Sequence, residues 1–283
     1  MSSVSYVNGS YVDHSEARVS IEDRGYQFAD GVYEVFAVIN KKIVDYDDHL
    51  NRLFRSLKEI SLDTPIAKDA YLVHIRNLVR KNYITNGIIY LQVSRGVASR
   101  DFKFPINTKP SIVITAKRIS MENYYEKFKR GIKVKITEDL RWKRVDIKTL
   151  NLLPPVLAKQ EAIESGCDEA WMTDANGYIT EGSSSNAWIL IKNKLITTPT
   201  SSSILKGITR TTLIRSLKNK NIQLIEKRFN KKDIKKSSEA FITSATQFVM
   251  PVIKIDNDKI GNGRVGKFAQ IFRESYMEAI QLK

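Results

Sequence analysis

Between Gly31 and Ile39 the chain reads Gly-Val-Tyr-Glu-Val-Phe-Ala-Val-Ile, a run dominated by β-branched and aromatic residues. It stops at Asn40, and Ile43-Val44 follow. That is the pattern of two strands joined by a tight turn. From Asp47 and Asp48 onward the period changes, with Leu50, Leu53, Phe54, Leu57 and Ile60 on one face of a helix. A strand pair followed at once by an amphipathic helix buries both apolar surfaces by packing sheet on helix. The chain therefore opens as a mixed α+β unit.

The same alternation continues. Val4, Tyr6 and Tyr11 alternate around Asn8-Gly9, the signature of a hairpin closed by a type I′ turn. A second helix covers 68–81, and Ile88 to Ser94 and Ser111 to Ala116 read as strands. Beyond these, Gly131 to Thr137 is a strand, and Pro154-Pro155 start a helix that ends at Gly166. Glu169 to Thr173 and Tyr178 to Thr180 flank Asn176-Gly177 as a hairpin, and Ala187 to Ile191, Leu195 to Thr198 and Ala240 to Thr243 are further strands. Gly207 to Leu217 and 265–281 are helical. Two domains are expected, 1–120 and 121–283, with the segment 118–130 as the connection and Lys148 carried by the second.

Composition narrows the function classes. The 283 residues hold no apolar stretch of membrane-spanning length, and Met1 to Ser5 lack the pattern of a secretory leader. The expectation is a soluble, cytoplasmic protein with no membrane partner. A single cysteine, Cys167, rules out an internal disulfide framework and reads as a small buried hydrophobe. His14, His49 and His74 are not spaced as a ligand pair, so no metal is expected. The net charge of +15 admits a nucleic-acid-binding surface or a diffuse solvating excess. Lysines are spread along the chain, and the densest cluster, from Lys227 to Lys236, is interrupted by Phe229, Asp233 and Ile234. That favours diffuse solvation and no nucleic acid, with a basic non-catalytic binding protein kept as the rival class.

Several residues carry possible chemistry. Lys148 lies among Ile147, Leu150, Leu152 and Leu153. Poor solvation disfavours an ammonium, and a neutral amine forms a Schiff base with an aldehyde; the competing reading is a lysine that snorkels to the surface. Glu181 ends a strand before Gly182-Ser183-Ser184-Ser185-Asn186, where a carboxylate would hold a ring nitrogen protonated or simply face water. Leu205-Lys206-Gly207-Ile208-Thr209-Arg210 fits either an anion site at a helix start or an ordinary cap. Arg52 falls opposite the apolar stripe of its helix, and periodicity alone calls it a solvated surface arginine. Gly261-Asn262-Gly263-Arg264-Val265-Gly266 matches a dinucleotide fingerprint, but no strand and acidic residue follow, so it reads as a turn. No nucleophile elbow of the hydrolase kind is present.

Taken in order, these pieces resemble the fold-type IV pyridoxal-phosphate enzymes, and within them the D-amino acid aminotransferases. The resemblance rests on Glu22-Asp23-Arg24-Gly25-Tyr26-Gln27-Phe28-Ala29-Asp30-Gly31-Val32-Tyr33-Glu34-Val35 and on His49-Leu50-Asn51-Arg52-Leu53. It continues through Arg95-Gly96, Asp146 to Leu153, Leu157 to Ala162, Glu181 to Asn186 and Ile204 to Arg210. It implies a two-domain α/β protein whose larger C-terminal domain has a barrel-like sheet, with pyridoxal 5′-phosphate held between the domains.

The resemblance also implies roles. Lys148 would form the Schiff base and move a proton between substrate Cα and cofactor C4′. Glu181 would pair with the pyridine nitrogen, Leu205 would pack on the ring, and Arg52, Ile208 and Thr209 would take the phosphate, with Gly207, Ser184, Ser185 and Thr246 in the same cofactor-binding set. Tyr33 would line the substrate pocket, and Arg100 would reach from the second subunit of a homodimer to the substrate carboxylate. Amino acids and 2-oxo acids would be the substrates, in ping-pong order. Two departures stand out. Where those enzymes carry Arg-x-His, this chain has Arg100-Asp101-Phe102, and Ala245 in Thr243-Ser244-Ala245-Thr246 replaces a threonine, leaving Thr246 or Ser244 to supply a hydroxyl. The first keeps a branched-chain L-amino acid aminotransferase, an amine transaminase and an aminodeoxychorismate lyase open as alternatives of the same fold.

Overall fold

The computed structural model describes residues 3–217 and 222–281. The chain divides into two compact units, Met1–Ser120 with Ile147–Asn151, and Met121–Asp146 with Leu152–Lys283.

The first unit is a sheet with helices. In chain order its elements are β1 (Val4–Val7), β2 (Ser10–Asp13), α1 (Arg24–Phe28), β3 (Gly31–Ile39), β4 (Lys42–Ile43), α2 (Tyr46–Glu59), α3 (Lys68–Lys81), β5 (Gly87–Ser94) and β6 (Ser111–Arg118). The strands order as β2-β1-β6-β5-β3-β4. Asn8 and Gly9 both have positive φ, 47° and 101°, as a type I′ turn demands. Phe36, Val38, Ile89, Leu91, Ile112 and Ile114 project from one sheet face into a core completed by Leu50, Leu53, Leu57, Tyr71, Ile75 and Leu78 of α2 and α3. The opposite face, including Tyr33, Val35, Tyr90 and Gln92, is only half-buried.

The sequence placed Lys148 in the second domain, but its short segment groups with the first unit. The backbone explains this. Tyr33 N donates to Lys148 O at 3.1 Å, Leu150 N donates to Gly31 O at 3.1 Å, and Val32 bridges Thr149. The segment is in effect an extra stretch laid along the start of β3, a pairing between distant residues that no local pattern reveals.

The second unit comprises α4 (Met121–Arg130), β7 (Ile132–Glu138), α5 (Leu153–Glu164), β8 (Glu169–Thr173), β9 (Ile179–Gly182), β10 (Asn186–Ile191), β11 (Lys194–Thr197), α6 (Ile208–Ser216), β12 (Gln223–Glu226), α7 (Lys231–Ile234), β13 (Glu239–Ser244), β14 (Phe248–Ile255), β15 (Asp258–Lys259) and α8 (Lys267–Gln281). Its sheet runs β12-β11-β10-β13-β14-β7-β8-β9, with β15 added to β14. Four strands separate β9 from β10 in this order, yet only Ser183 to Ser185 link them in sequence. Five strand spacings on a flat sheet amount to about 24 Å, whereas that link spans at most about 14 Å. The sheet must therefore curl back on itself, and it forms a half-barrel.

Several features differ from the sequence reading, which marked none of α1, β12, α7 and β15. The expected connection, 118–130, is largely the helix α4, whose Tyr124 and Phe128 are buried. β14 was missed because Pro251 interrupts its apolar run; the proline sits opposite Phe241 within the sheet. Cys167 is half-buried beside Ala158, Ala162, Ala170 and Met172 rather than fully enclosed. Leu153 is 66% exposed, so the apolar segment around Lys148 is not buried throughout. Gly261 to Gly263 form a turn ahead of α8, as read. Three residues of the basic cluster are paired locally, Arg228 with Asp174, Lys231 with Asp256 at 2.9 Å and Lys235 with Asp258 at 3.6 Å. Among the described residues no helix is long and apolar enough to cross a membrane.

Candidate active site

Alternation along β3 sends Tyr33 and Glu34 to opposite faces of the sheet. On the half-buried face, Lys148 Nζ lies over the Tyr33 ring, 4.1 Å from its centroid. The backbone bonds between Tyr33 and Lys148 fix that approach, and Lys148 N donates to Ser56 Oγ at 3.3 Å. Lys148 is half-buried, with its amine against an aromatic face.

On the other face, Glu34 is fully buried between β3 and α2. Arg52 grips it with two charge-assisted bonds, Nε to Oε1 at 2.7 Å and Nη2 to Oε2 at 2.8 Å, and His49 Nδ1 is 2.8 Å from Oε2. Burial pushes the Glu34 carboxyl up, but the charge and bonds of Arg52, with help from His49, outweigh it and hold the group at about 2. Burial lowers the His49 imidazole against the opposing pull of Glu34. Arg52 is thus no solvated surface residue: its side chain is 10% exposed. The helical wheel misplaced it because its partner sits on another element.

Arg100 and Phe102 lie in the long loop between β5 and β6. Both are exposed, Phe102 to 86%. Arg100 has its guanidinium over the Phe28 ring at 4.5 Å, and Phe102 meets the same ring at 5.6 Å.

In the second unit, Glu181 near the end of β9 is 4% exposed. Its Oε1 accepts from Leu205 N at 3.1 Å and from Arg141, and its Oε2 accepts from Asn186 Nδ2 at 2.9 Å. Arg141 also holds Asp139, through Nε at 2.8 Å and Nη2 at 2.7 Å, and Thr180 Oγ1 donates to Asp139 at 2.6 Å. Burial raises the Glu181 carboxyl, and Arg141 only partly offsets it. Burial also pushes Asp139 up, but its bonds and charge contact with Arg141 bring it below its ordinary value. Asp139 and Arg141 were not singled out from sequence. An acid and an arginine two residues apart beyond a strand look like any surface pair.

Asn186 ties this group to the start of α6. Its Nδ2 donates to Leu205 O at 3.0 Å as well as to Glu181, and its Oδ1 lies 2.1 Å from where a Cβ on Gly207 would sit. Only glycine permits that approach. Ile208 and Thr209 then begin the helix, both buried, with first-turn amides that have no intrahelical acceptor.

Residues 31–255 match the model of a family described as amino-transferase class IV. A D-alanine aminotransferase of Staphylococcus haemolyticus is 37% identical over 277 residues, covering 98% of this chain and 97% of that protein. The chain belongs to the class IV aminotransferases. A D-alanine aminotransferase of Bacillus licheniformis is 36% identical over 273 residues, with 96% and 95% covered. A solved branched-chain amino acid aminotransferase from T.th., with pyridoxamine 5′-phosphate, matches at a TM-score of 0.93 and 24% identity, covering 100% of this chain and 96% of that one. At that identity the likeness concerns the fold.

The remaining expected residues of this class IV aminotransferase fall as follows. Ser183, Ser184 and Ser185 turn their hydroxyls to the buried Glu169, Ser184 at 3.3 Å and Ser185 at 3.5 Å, so the serine run is braced from behind. Thr246 is exposed in the turn between β13 and β14, whereas Ser244 Oγ accepts from Gln247 N at 3.1 Å and so caps that turn. Of the two hydroxyls considered from sequence, Thr246 is the one facing outward. Lys148, Tyr33, Arg52, Arg100 and Phe102 belong to the first unit, and Glu181, Ser184, Ser185, Leu205, Gly207, Ile208, Thr209 and Thr246 to the second.

Proposed function

We propose that this class IV aminotransferase binds pyridoxal 5′-phosphate and transfers amino groups between D-amino acids and 2-oxo acids, of the type D-alanine plus 2-oxoglutarate to pyruvate plus D-glutamate. The observation that carries the cofactor reading is the buried trio Asp139, Arg141 and Glu181, which sets two carboxylates against one guanidinium. A buried excess of negative charge calls for a further cation, and a protonated aromatic nitrogen against Glu181 supplies one. The amides of Ile208 and Thr209 at the positive end of α6 suit a phosphate, as does the guanidinium of Arg52.

Bound pyridoxal 5′-phosphate supplies an aldehyde and an electron sink. The chain's own residues do the rest. Lys148 acts as general base at the substrate Cα and returns the proton. The ring of Tyr33 lies beside the Lys148 amine and walls the substrate side. Arg141 pulls the Glu181 carboxyl down against the burial that raises it. Arg100 takes the substrate carboxylate, acting across a homodimer. Phe102 at 86% and Ile106 at 89% exposure give the Arg100 loop an apolar surface that suits a subunit contact. The D-amino acid reading is supported by full-length relatives that carry that activity in their names. Location in the cytoplasm is part of the proposal and rests on composition.

A half-reaction tests it. Purified holoenzyme is mixed in turn with D-alanine, L-leucine and a chiral amine, and the visible spectrum of the cofactor is followed. Bleaching by D-alanine is expected. Bleaching by L-leucine but by no D-amino acid overturns the substrate assignment.

A further inference from the structure

The loop that carries Arg100 is exposed, yet it is gripped from beneath by side chains that have no assigned role. Asp30 Oδ2 accepts from Arg24 Nε and from Arg95 Nε, each at 2.8 Å, and all three side chains are at most 10% exposed. Arg24 Nη1 reaches on to the carbonyl of Asp101 at 2.6 Å, the residue next to Arg100. Arg95 donates to Ser61 O at 3.0 Å and Ile60 O at 2.7 Å, and its guanidinium stacks 3.6 Å from the Phe104 ring centroid. Three points of the loop's course are thereby fixed: its start at Arg95, its middle at Asp101 and its far side at Phe104.

Phe28 completes the support. It ends α1, the same short helix that Arg24 begins, and its ring takes the guanidinium of Arg24 at 4.7 Å and that of Arg100 at 4.5 Å. Phe102 meets this ring at 5.6 Å. An exposed arginine ordinarily samples many rotamers and must give them up to bind an anion. Holding the guanidinium on an aromatic face beforehand removes much of that cost.

We infer that Phe28 is a positioning residue for substrate recognition: with the Arg24–Asp30–Arg95 brace beneath it, its ring presents the Arg100 guanidinium ready for a carboxylate. The inference rests on the reading that Arg100 binds the substrate carboxylate. It also assigns Phe102 a part, as the neighbour that packs on Phe28 in place of a direct ligand.

The test is a double-mutant cycle on holoenzyme, with KM and kcat for D-alanine and 2-oxoglutarate as readouts. Phe28→Leu raises both KM values roughly five-fold while kcat changes less than about two-fold, the scale of a partly exposed cation–π contact. Phe28→Tyr, which keeps the ring face, restores KM and guards against a folding defect. Arg100→Met raises KM, and in that background Phe28→Leu adds nothing, because the residue acts through Arg100. An equal KM increase from Phe28→Leu in both backgrounds overturns the proposal and leaves Phe28 a packing residue. So does an unchanged KM in Phe28→Leu when Arg100→Met is impaired. An unchanged KM in Arg100→Met overturns the carboxylate reading itself, and the positioning role with it.

Discussion

Glu34 in the first unit and Glu181 in the second are both buried carboxylates served by an arginine, yet their acidities move in opposite directions. Glu34 takes two parallel bonds from Arg52, with His49 as a second neighbour, and is held at about 2. Glu181 shares Arg141 with Asp139, and Asp139 takes the bidentate grip. Burial then prevails at Glu181 and raises it. The difference is one of stoichiometry. A carboxylate gripped by a bidentate guanidinium has its charge opposed where it lies. Two carboxylates around one guanidinium leave a negative charge still to be balanced, which fits the proposal that Glu181 meets a cationic ring.

The largest expected effect lies in the unmatched region and is catalytic. Glu181→Gln keeps the shape but removes the charge, and turnover should fall by roughly 100-fold or more. Its unfolding free energy should change by less than about 1 kcal/mol, since a neutral amide avoids the desolvation of a buried charge. Turnover that survives the change breaks the comparison.

Next in size is the mirror experiment. Glu34→Gln takes the bidentate carboxylate away from a nearly buried guanidinium, and urea unfolding of the apoprotein should show a loss of about 3 kcal/mol. A loss no greater than that of Glu181→Gln would contradict the distinction drawn between the two carboxylates.

Acid titration of the apoprotein sharpens the contrast through its sign. The Glu34 carboxyl falls from 4.5 to about 2 on folding, so its contribution is complete above 4.5 and is lost as the pH drops toward 2. Glu181 is raised above 4.5, so its contribution is present below that value and is lost as the pH rises through the folded value. Glu34→Gln should flatten the acid limb of the stability curve, and Glu181→Gln should remove an opposing slope. Equal slopes in the two variants would show that neither carboxylate is shifted as described.

The smallest effect is expected for Asp139→Asn. It removes a like charge beside Glu181 and releases donors of Arg141, so Glu181 should ionise at lower pH. The acid limb of the kcat profile should then move down in pH with little change in its plateau. A shift upward would reverse the assigned roles of Asp139 and Arg141.

The two regions were also unequally legible in sequence. β3, β5 and β6 and the helices α2 and α3 follow from local alternation and periodicity, as does the hairpin at Asn8-Gly9. β14 was hidden by Pro251, which lies opposite Phe241 just ahead of the residues that pair with β7. Lys148 and Glu181 were singled out through the motifs around them. Burial of Arg52 was not, because it depends on Glu34 18 residues away on a strand. Arg141 carried no signal at all, since its partner Glu181 lies 40 residues further on and is brought to it by the β7-β8-β9 order of the sheet. Local pattern identified most of the longer elements, and contacts between distant residues decided which charges are matched.

The central claim is that Lys148 holds the cofactor by its side-chain amine. Holoenzyme treated with borohydride, digested and analysed by mass spectrometry tests it most directly. A reduced phosphopyridoxyl group on the peptide containing Lys148, and absent from a Lys148→Ala variant, is the predicted result. A label on another lysine, or a protein that takes up no pyridoxal 5′-phosphate, would contradict the account.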